Sequence, residues 1–234
     1  MWNGKKKAIT FSFDDGVTQD IRLVEMLNKY GLKGTFNINS CLLGLKGEVR
    51  PAGETVAHNK VFHSKVREVY QGHEVAVHTL THPNLTMLDE ETIVFQVEED
   101  RKRLSALCGY EVVGMAYPCG GTNNDDRVAE IIKNKTGVQY ARTITSTFDF
   151  NKQTNLHRFN PSVYVMQPDK LDELVETFLA LDTDEPQLLY IWGHAYEFDT
   201  TRMPWERFEG VCQKLADKED IFYGTNKQVL LGID

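Results

Sequence analysis

Short β-prone runs alternate with amphipathic helical patterns along the whole chain, and this alternation constrains the fold more than any other feature. "AITFSF" is followed by "IRLVEMLNKYG" and then by "KGTFNIN". Such a series is the signature of βαβ units around a parallel sheet. Leu23, Met26 and Leu27 recur at helical spacing with Gly31 as the stop. A longer helix is expected through "DEETIVFQVEEDRKRLSALCGY", with Ile93, Val97, Leu104 and Leu107 on one face and Gly109 closing it. Further strands are expected at "HEVAVH", "VVGMAYP", "GVQYART", "LLYIWGH" and "IFYGTN", and further helices at "KLDELVETFLALD" and "WERFEGVCQKLADK". Residues 41–71 break the rhythm with Gly44, Gly47, Pro51 and Gly53, and a helix is expected near their end at "FHSKVREVYQ". No repeat and no low-complexity linker divides the chain, so residues 1–234 are expected to form a single α/β domain.

Composition narrows the function classes. A net charge of -8 and a pI near 5.4 argue against a nucleic-acid or anionic-membrane partner, because phosphate binding needs basic patches. The cluster Lys5, Lys6, Lys7 is too short to reverse that. No apolar run approaches the ~18 residues of a membrane helix, and the first residues lack the apolar core of a secretory signal. A cytoplasmic location is therefore expected unless a leader was removed. The four cysteines form no C-x-x-C pair and are expected as free thiols.

Chemistry-bearing residues gather after three of the expected strands: Asp14 and Asp15 in "SFDDG", His78 and His82 in "HTLTH", and His194 in "IWGH". By itself "DDG" is a turn signal. In a parallel sheet, however, C-terminal strand ends share one rim, so these distant residues converge. The i, i+4 histidines lie close enough to share a metal, although Pro83 disfavours helical geometry at His82. With Asp15 they make a mixed N/O set suited to Zn²⁺ or another transition ion. Asp14 is then a candidate base, and His194 a candidate proton donor on the opposite rim.

"SFDDG", "HTLTH", "AYPCGG" and "IWGH", in this order, resemble the successive motifs of the polysaccharide deacetylase family, the NodB-like carbohydrate esterase family 4. The likeness runs from about residue 8 to "FYGTN". It implies a distorted (β/α) barrel with fewer than eight strands and metal-dependent hydrolysis of an N-acetyl group. By resemblance Asp14 is the general base, Asp15, His78 and His82 hold a divalent metal (Zn²⁺, with Co²⁺ or Ni²⁺ as alternatives), and His194 is the general acid. The Cys119 backbone N–H is placed at the oxyanion, and Tyr117, Ile191 and Trp192 at the substrate pocket. The implied partner is an N-acetylated saccharide.

Three positions depart from the family pattern. Ala116 stands where an arginine is expected, leaving Arg142 or Arg158 to supply a guanidinium. Asp149-Phe150 only faintly matches the fourth motif, and Cys119 replaces a common tyrosine. A small cyclic or linear amide is the alternative substrate class, and a non-catalytic saccharide-binding module a third reading. His58 and His63 lie in the long excursion and could reach over the site, although solvated loop histidines are the favoured reading. Beyond His194, the set Tyr196, Glu197, Phe198, Asp199 and Trp205 offers stacking faces and acceptors for a sugar.

Overall fold

A computed structural model describes residues 2–233. The strands are β1 (Lys7–Asp14), β2 (Gly34–Ile38), β3 (Glu48–Val49), β4 (Val56–Ala57), β5 (Glu74–Val77), β6 (Gly114–Ala116), β7 (Tyr140–Arg142), β8 (Val163–Tyr164), β9 (Gln187–His194) and β10 (Ile221–Tyr223). The α-helices are α1 (Asp20–Lys29), α2 (Val66–Val69), α3 (Glu90–Cys108), α4 (Asp126–Lys135), α5 (Pro168–Ala180), α6 (Trp205–Leu215) and α7 (Asn226–Leu231).

Apart from the small β3-β4 hairpin, the strands form one curled parallel sheet in the order β7-β6-β5-β2-β1-β9-β8, with β10 added on β1. β10 pairs with residues 7–9 of β1 and β2 with residues 11–14, so the two share one edge and the wall has seven strand positions. A parallel bridge between Arg142 and Phe159 ties β7 to the segment that leads into β8. The expected distorted barrel with fewer than eight strands is the observed fold.

Every residue of β1 is buried, because a parallel strand in such a wall is covered on both faces. Alternation divides its side chains between two environments. Ile9, Phe11 and Phe13 join the apolar layer under the helices, where the Phe11 and Phe13 rings meet Phe208 of α6 edge-on at 6.1 and 5.9 Å. Thr10 and Ser12 face a polar interior, where Thr10 Oγ1 donates to Asn226 Oδ1 (2.9 Å) and Asn37 Nδ2 to Ser12 Oγ (2.9 Å). Burial without partners would be costly for such groups. Asp14 continues the polar series at the rim, so the alternation that fills the barrel also aims its carboxylate inward.

Most elements lie where the sequence puts them. α3 is capped by Asp89, which accepts from the Thr92 amide at 2.8 Å, and it ends at Gly109 in the left-handed region (φ 79°), where glycine carries no Cβ penalty. The helix expected near "FHSKVREVYQ" is a 3₁₀ turn followed by the single turn α2. Five elements fall outside the sequence reading: α4, the two-residue strands β3, β4 and β8, and α7, which closes the bottom of the barrel with Trp2. The cysteines are free. Among the described residues no helix is long and apolar enough to cross a membrane.

Candidate functional site

Asp14, Asp15, His78, His82 and His194 line one cavity of about 460 Å³ at the C-terminal rim, together with Tyr117, Cys119, Ile144, Tyr164, Trp192 and Tyr196. β1 and β9 run in register, with Asp14 opposite His194. The pairing of β1 with β2, and of β2 with β5, then brings His78 to the same level.

Asp14 is held on one oxygen. Asn37 Nδ2 donates to its Oδ1 at 2.9 Å, and Arg142 forms a fully buried ion pair with the same oxygen. Its Oδ2 lies 4.0 Å from His78 Nε2. Burial alone would raise this carboxyl, but the charge of Arg142, with His78 and His194 behind it, holds it below the usual carboxylate range.

Asp15 lies just beyond the strand with φ 84°, and its amide donates to the Asn37 carbonyl at 2.9 Å. The turn after β5 places Thr79 (φ 68°) and His82 (φ 61°) in the left-handed region, so "HTLTH" is an irregular turn and not a helix. This agrees with the restriction that Pro83 imposes. The His78 and His82 rings lie 4.9 Å apart.

Asp15, His78 and His82 offer ligand atoms all within 4.8 Å of one another. His78 Nδ1 lies 2.9 Å from the Ala116 carbonyl oxygen, an acceptor, so Nδ1 carries the proton and Nε2 presents its lone pair. That lone pair faces Asp15 Oδ1 at 3.9 Å, and His82 Nε2 faces the same oxygen at 3.6 Å. Burial lowers the His78 pKa to about 4, so this ring is neutral. Electron-pair donors turned toward one another, with the far nitrogen fixed by a carbonyl, suit a cation of the Zn²⁺ type.

On the opposite wall, His194 Nδ1 lies 3.1 Å from Glu197 Oε1. Burial would lower the His194 pKa, but Glu197, Asp15 and Asp14 raise it to about 9. Glu197 is itself buried, takes the Tyr164 hydroxyl proton as a hydrogen bond, and accepts from the His194 amide at 3.0 Å. Trp192 stacks on Tyr164 at 4.4 Å and lies against the Arg142 guanidinium at 4.6 Å. Cys119 adopts φ 70°, its Sγ lies 3.4 Å from the His82 carbonyl oxygen, and among the described residues its amide has no acceptor.

Several sequence assignments move. Of the two candidate arginines, Arg142 reaches Asp14, whereas Arg158 lies outside the cavity and pairs with Asn124 and Asp126. Ile191 also lies outside, because strand alternation turns it into the layer under the helices while Trp192 faces the cavity. Phe150 packs on Phe178 in the core, and Asp149 caps its own turn. Phe198 and Trp205 are buried and not open to a sugar, Glu197 is buried and borders only the neighbouring cavity, and Asp199 accepts from Trp205 Nε1 at 2.8 Å. Of that set, Tyr196 lines the cavity.

His58 is no free loop histidine. Its Nε2 lies 3.0 Å from Asp15 Oδ2, and its ring meets Tyr196 edge-on. Lys60, which the sequence reading passes over, donates to the Asp15 carbonyl at 2.6 Å. Asp100 is passed over as well: buried on α3, it accepts from the amides of Ser40 (2.8 Å) and His78 (3.3 Å). Its signal was present, since Asp100 falls on the face that carries Ile93, Val97 and Leu104.

Comparison with known proteins bears on the family and the fold. The profile of the polysaccharide deacetylase family matches residues 2–141. Peptidoglycan-N-acetylglucosamine deacetylase PgdA of Listeria monocytogenes is 27% identical over 128 residues, which are 54% of this chain and 24% of that protein. The match thus spans about a quarter of the curated relative's length. A family 4 carbohydrate esterase from Streptomyces lividans, solved with acetate, superposes with a TM-score of 0.57 at 14% identity over 94% of this chain and 93% of its own. A family 4 pseudoenzyme from Bacillus anthracis gives a TM-score of 0.56 at 19% identity over 96% of this chain and 66% of its own. These structures share the fold, and the family profile covers more than half of the sequence. The chain belongs to the polysaccharide deacetylase family.

Proposed function

We propose that the protein is a divalent-metal hydrolase that removes the acetyl group from an N-acetylated amino sugar, alone or within an oligo- or polysaccharide. The observation that carries this reading is the convergence of Asp14, Asp15, His78, His82 and His194 on one cavity. Asp15, His78 and His82 would hold the ion, with Zn²⁺ favoured by the two imidazoles and Co²⁺ or Ni²⁺ acceptable to the same donors. When bound, such an ion supplies Lewis-acid polarisation of the acetyl carbonyl and a lowered pKa for water.

The chain's own residues supply the remaining chemistry. Arg142 and Asn37 occupy Asp14 Oδ1, which leaves Oδ2 to take a proton from the attacking water. The Cys119 amide is available to the oxyanion as it develops. His194, protonated at neutral pH, gives a proton to the departing amine while Glu197 keeps its Nδ1 side oriented. Trp192, Tyr164 and Tyr196 exclude water from the acyl group. A second cavity of about 510 Å³ shares Ile144 and Tyr164 with the first, and supports a substrate that extends beyond one sugar ring.

The test is acetate release from N-acetylated mono- and oligosaccharides by the purified protein, before and after chelation and Zn²⁺ return. Release that disappears with chelator and comes back with Zn²⁺ is the expected result. Bound metal without acetate from any acetamido sugar, but with turnover of cyclic amides, would overturn the substrate class. Full activity after chelation would overturn the metal.

A further inference from the structure

The triad Asp15, His78 and His82 has a positively charged neighbour at close quarters. Lys60 is buried to 6% exposure, and its Nζ lies 3.4 Å from Asp15 Oδ1, the oxygen that faces both imidazoles. The ammonium is not there by accident of a flexible chain. Lys60 forms an antiparallel bridge with Val17, its amide donates to the Leu45 carbonyl at 2.8 Å, and the flanking Val61 amide donates to the Gly16 carbonyl at 2.9 Å. The backbone of the 41–71 excursion is thus stitched to the segment directly after "SFDDG". Nζ then donates to the Asp15 carbonyl at 2.6 Å. The other carboxylate oxygen, Oδ2, is occupied by His58 Nε2 at 3.0 Å.

We propose that Lys60 is a built-in counter-cation of the metal triad, which balances Asp15 when no ion is bound and weakens the hold on a divalent cation when one is. This rests on the metal-binding reading of the site. The physics is direct. Asp15 is nearly inaccessible to water, and a buried carboxylate needs a partner charge to remain ionised. Lys60 provides that charge in the empty protein. A divalent ion drawn toward Asp15 Oδ1 enters the field of an ammonium already close to that oxygen, and like charges at such range repel strongly where solvent screening is poor. His58 retains the far oxygen, so Asp15 presents Oδ1 alone. The excursion therefore does more than cover the rim: it sets how tightly the rim binds its ion.

The experiment compares wild type with Lys60→Gln, which keeps a donor for the Asp15 carbonyl, and with Lys60→Met. For each, Zn²⁺ affinity is measured by competition with a chromophoric chelator, and the thermal midpoint is recorded after chelation and with Zn²⁺ restored. Both variants are expected to bind Zn²⁺ about tenfold tighter or more, a step set by removal of one close charge. Their chelated forms are expected to melt lower than wild type, and the rise on adding Zn²⁺ to be larger than in wild type. Variants that fold only with Zn²⁺ present would also support the proposal. Unchanged or weaker Zn²⁺ binding would overturn it, as would an equal loss of midpoint with and without Zn²⁺ or a failure to fold in either condition. If wild type binds Zn²⁺ and the variants bind it equally, the counter-cation falls while the metal site stands. If wild type binds none, both fall.

Discussion

Arg142 and Asp14 stand 128 positions apart in the chain and form an ion pair from which solvent is excluded on both sides. The guanidinium also donates to the Thr143 carbonyl at 3.2 Å and lies on the Trp192 ring. Removing one member of such a pair leaves the other buried and uncompensated. Arg142→Met is expected to destabilise the protein by about 3–5 kcal/mol, read as a shift of the denaturant midpoint at unchanged slope. A change under ~1 kcal/mol would mean that the pair contributes no more than a surface salt bridge.

The two adjacent aspartates separate by experiment. Asp14→Asn is expected to reduce acetate release by about 10²- to 10⁴-fold, the usual weight of a general base, with Zn²⁺ content retained. Asp15→Asn is expected to lose Zn²⁺ content and activity together. Metal analysis beside the rate measurement distinguishes them, and equal metal loss in both would place Asp14 among the ligands.

His194 sets the alkaline side of the pH profile. Its folded pKa of about 9 lies above the ordinary 6.5, so the proton-donating form persists through neutral pH and is lost as pH rises through about 9. The stability contributed by the His194 and Glu197 contact has the same sign: it is fully present below 6.5 and disappears as pH passes about 9. Glu197→Gln removes the main upward pull, so the alkaline limb of kcat is expected to move to lower pH while the acid limb stays. A limb that does not move would show that another group titrates there.

Gly193, just before His194, has no room for a side chain. A Cβ added there would overlap Val165 Cγ2 and lie 3.2 Å from Glu197 Oε2. Gly193→Ala is expected to cost about 1–3 kcal/mol through overpacking, and to reduce activity further by pushing Glu197 from His194. Calorimetry with a rate assay on the same sample checks both effects.

The parts of the site that were legible in the sequence are those that directly follow a strand. Asp14, Asp15, His78, His82 and His194 sit at strand ends, and a parallel wall brings such ends to one rim wherever the strands fall in its order. The alternation of strand and helix patterns was equally readable, because β1, α1, β2, α3 and β9 each carry their own periodicity. What was not legible depends on closure. Arg142 was one of two candidate arginines, and only the path of β7 round the barrel selects it over Arg158 for Asp14, while Lys60 meets Asp15 only because the excursion folds back along residues 16–18. Glu197 reads as a sugar acceptor from the sequence because nothing local shows that a 3₁₀ turn tucks it beneath His194. α7 and β8 escape the sequence reading because they are six and two residues long, whereas α4 is as long as α1 and its apolar face of Val128, Ile131 and Ile132 was open to the same reading.

The barrel closes on a narrow seam. Thr143 donates to the Phe159 carbonyl, and the Phe159 amide donates to the Ala141 carbonyl, each at 2.9 Å. Arg142, the partner of Asp14, is the residue of β7 at that bridge. The charge beneath the reacting centre is anchored at this seam. A breath of the molecule that parts these two bonds would slacken the grip on Asp14 while the helices and the other strands stay in place. Heating is therefore expected to silence the protein before it unfolds it, with amide exchange at Phe159 and Thr143 rising in step with the lost rate.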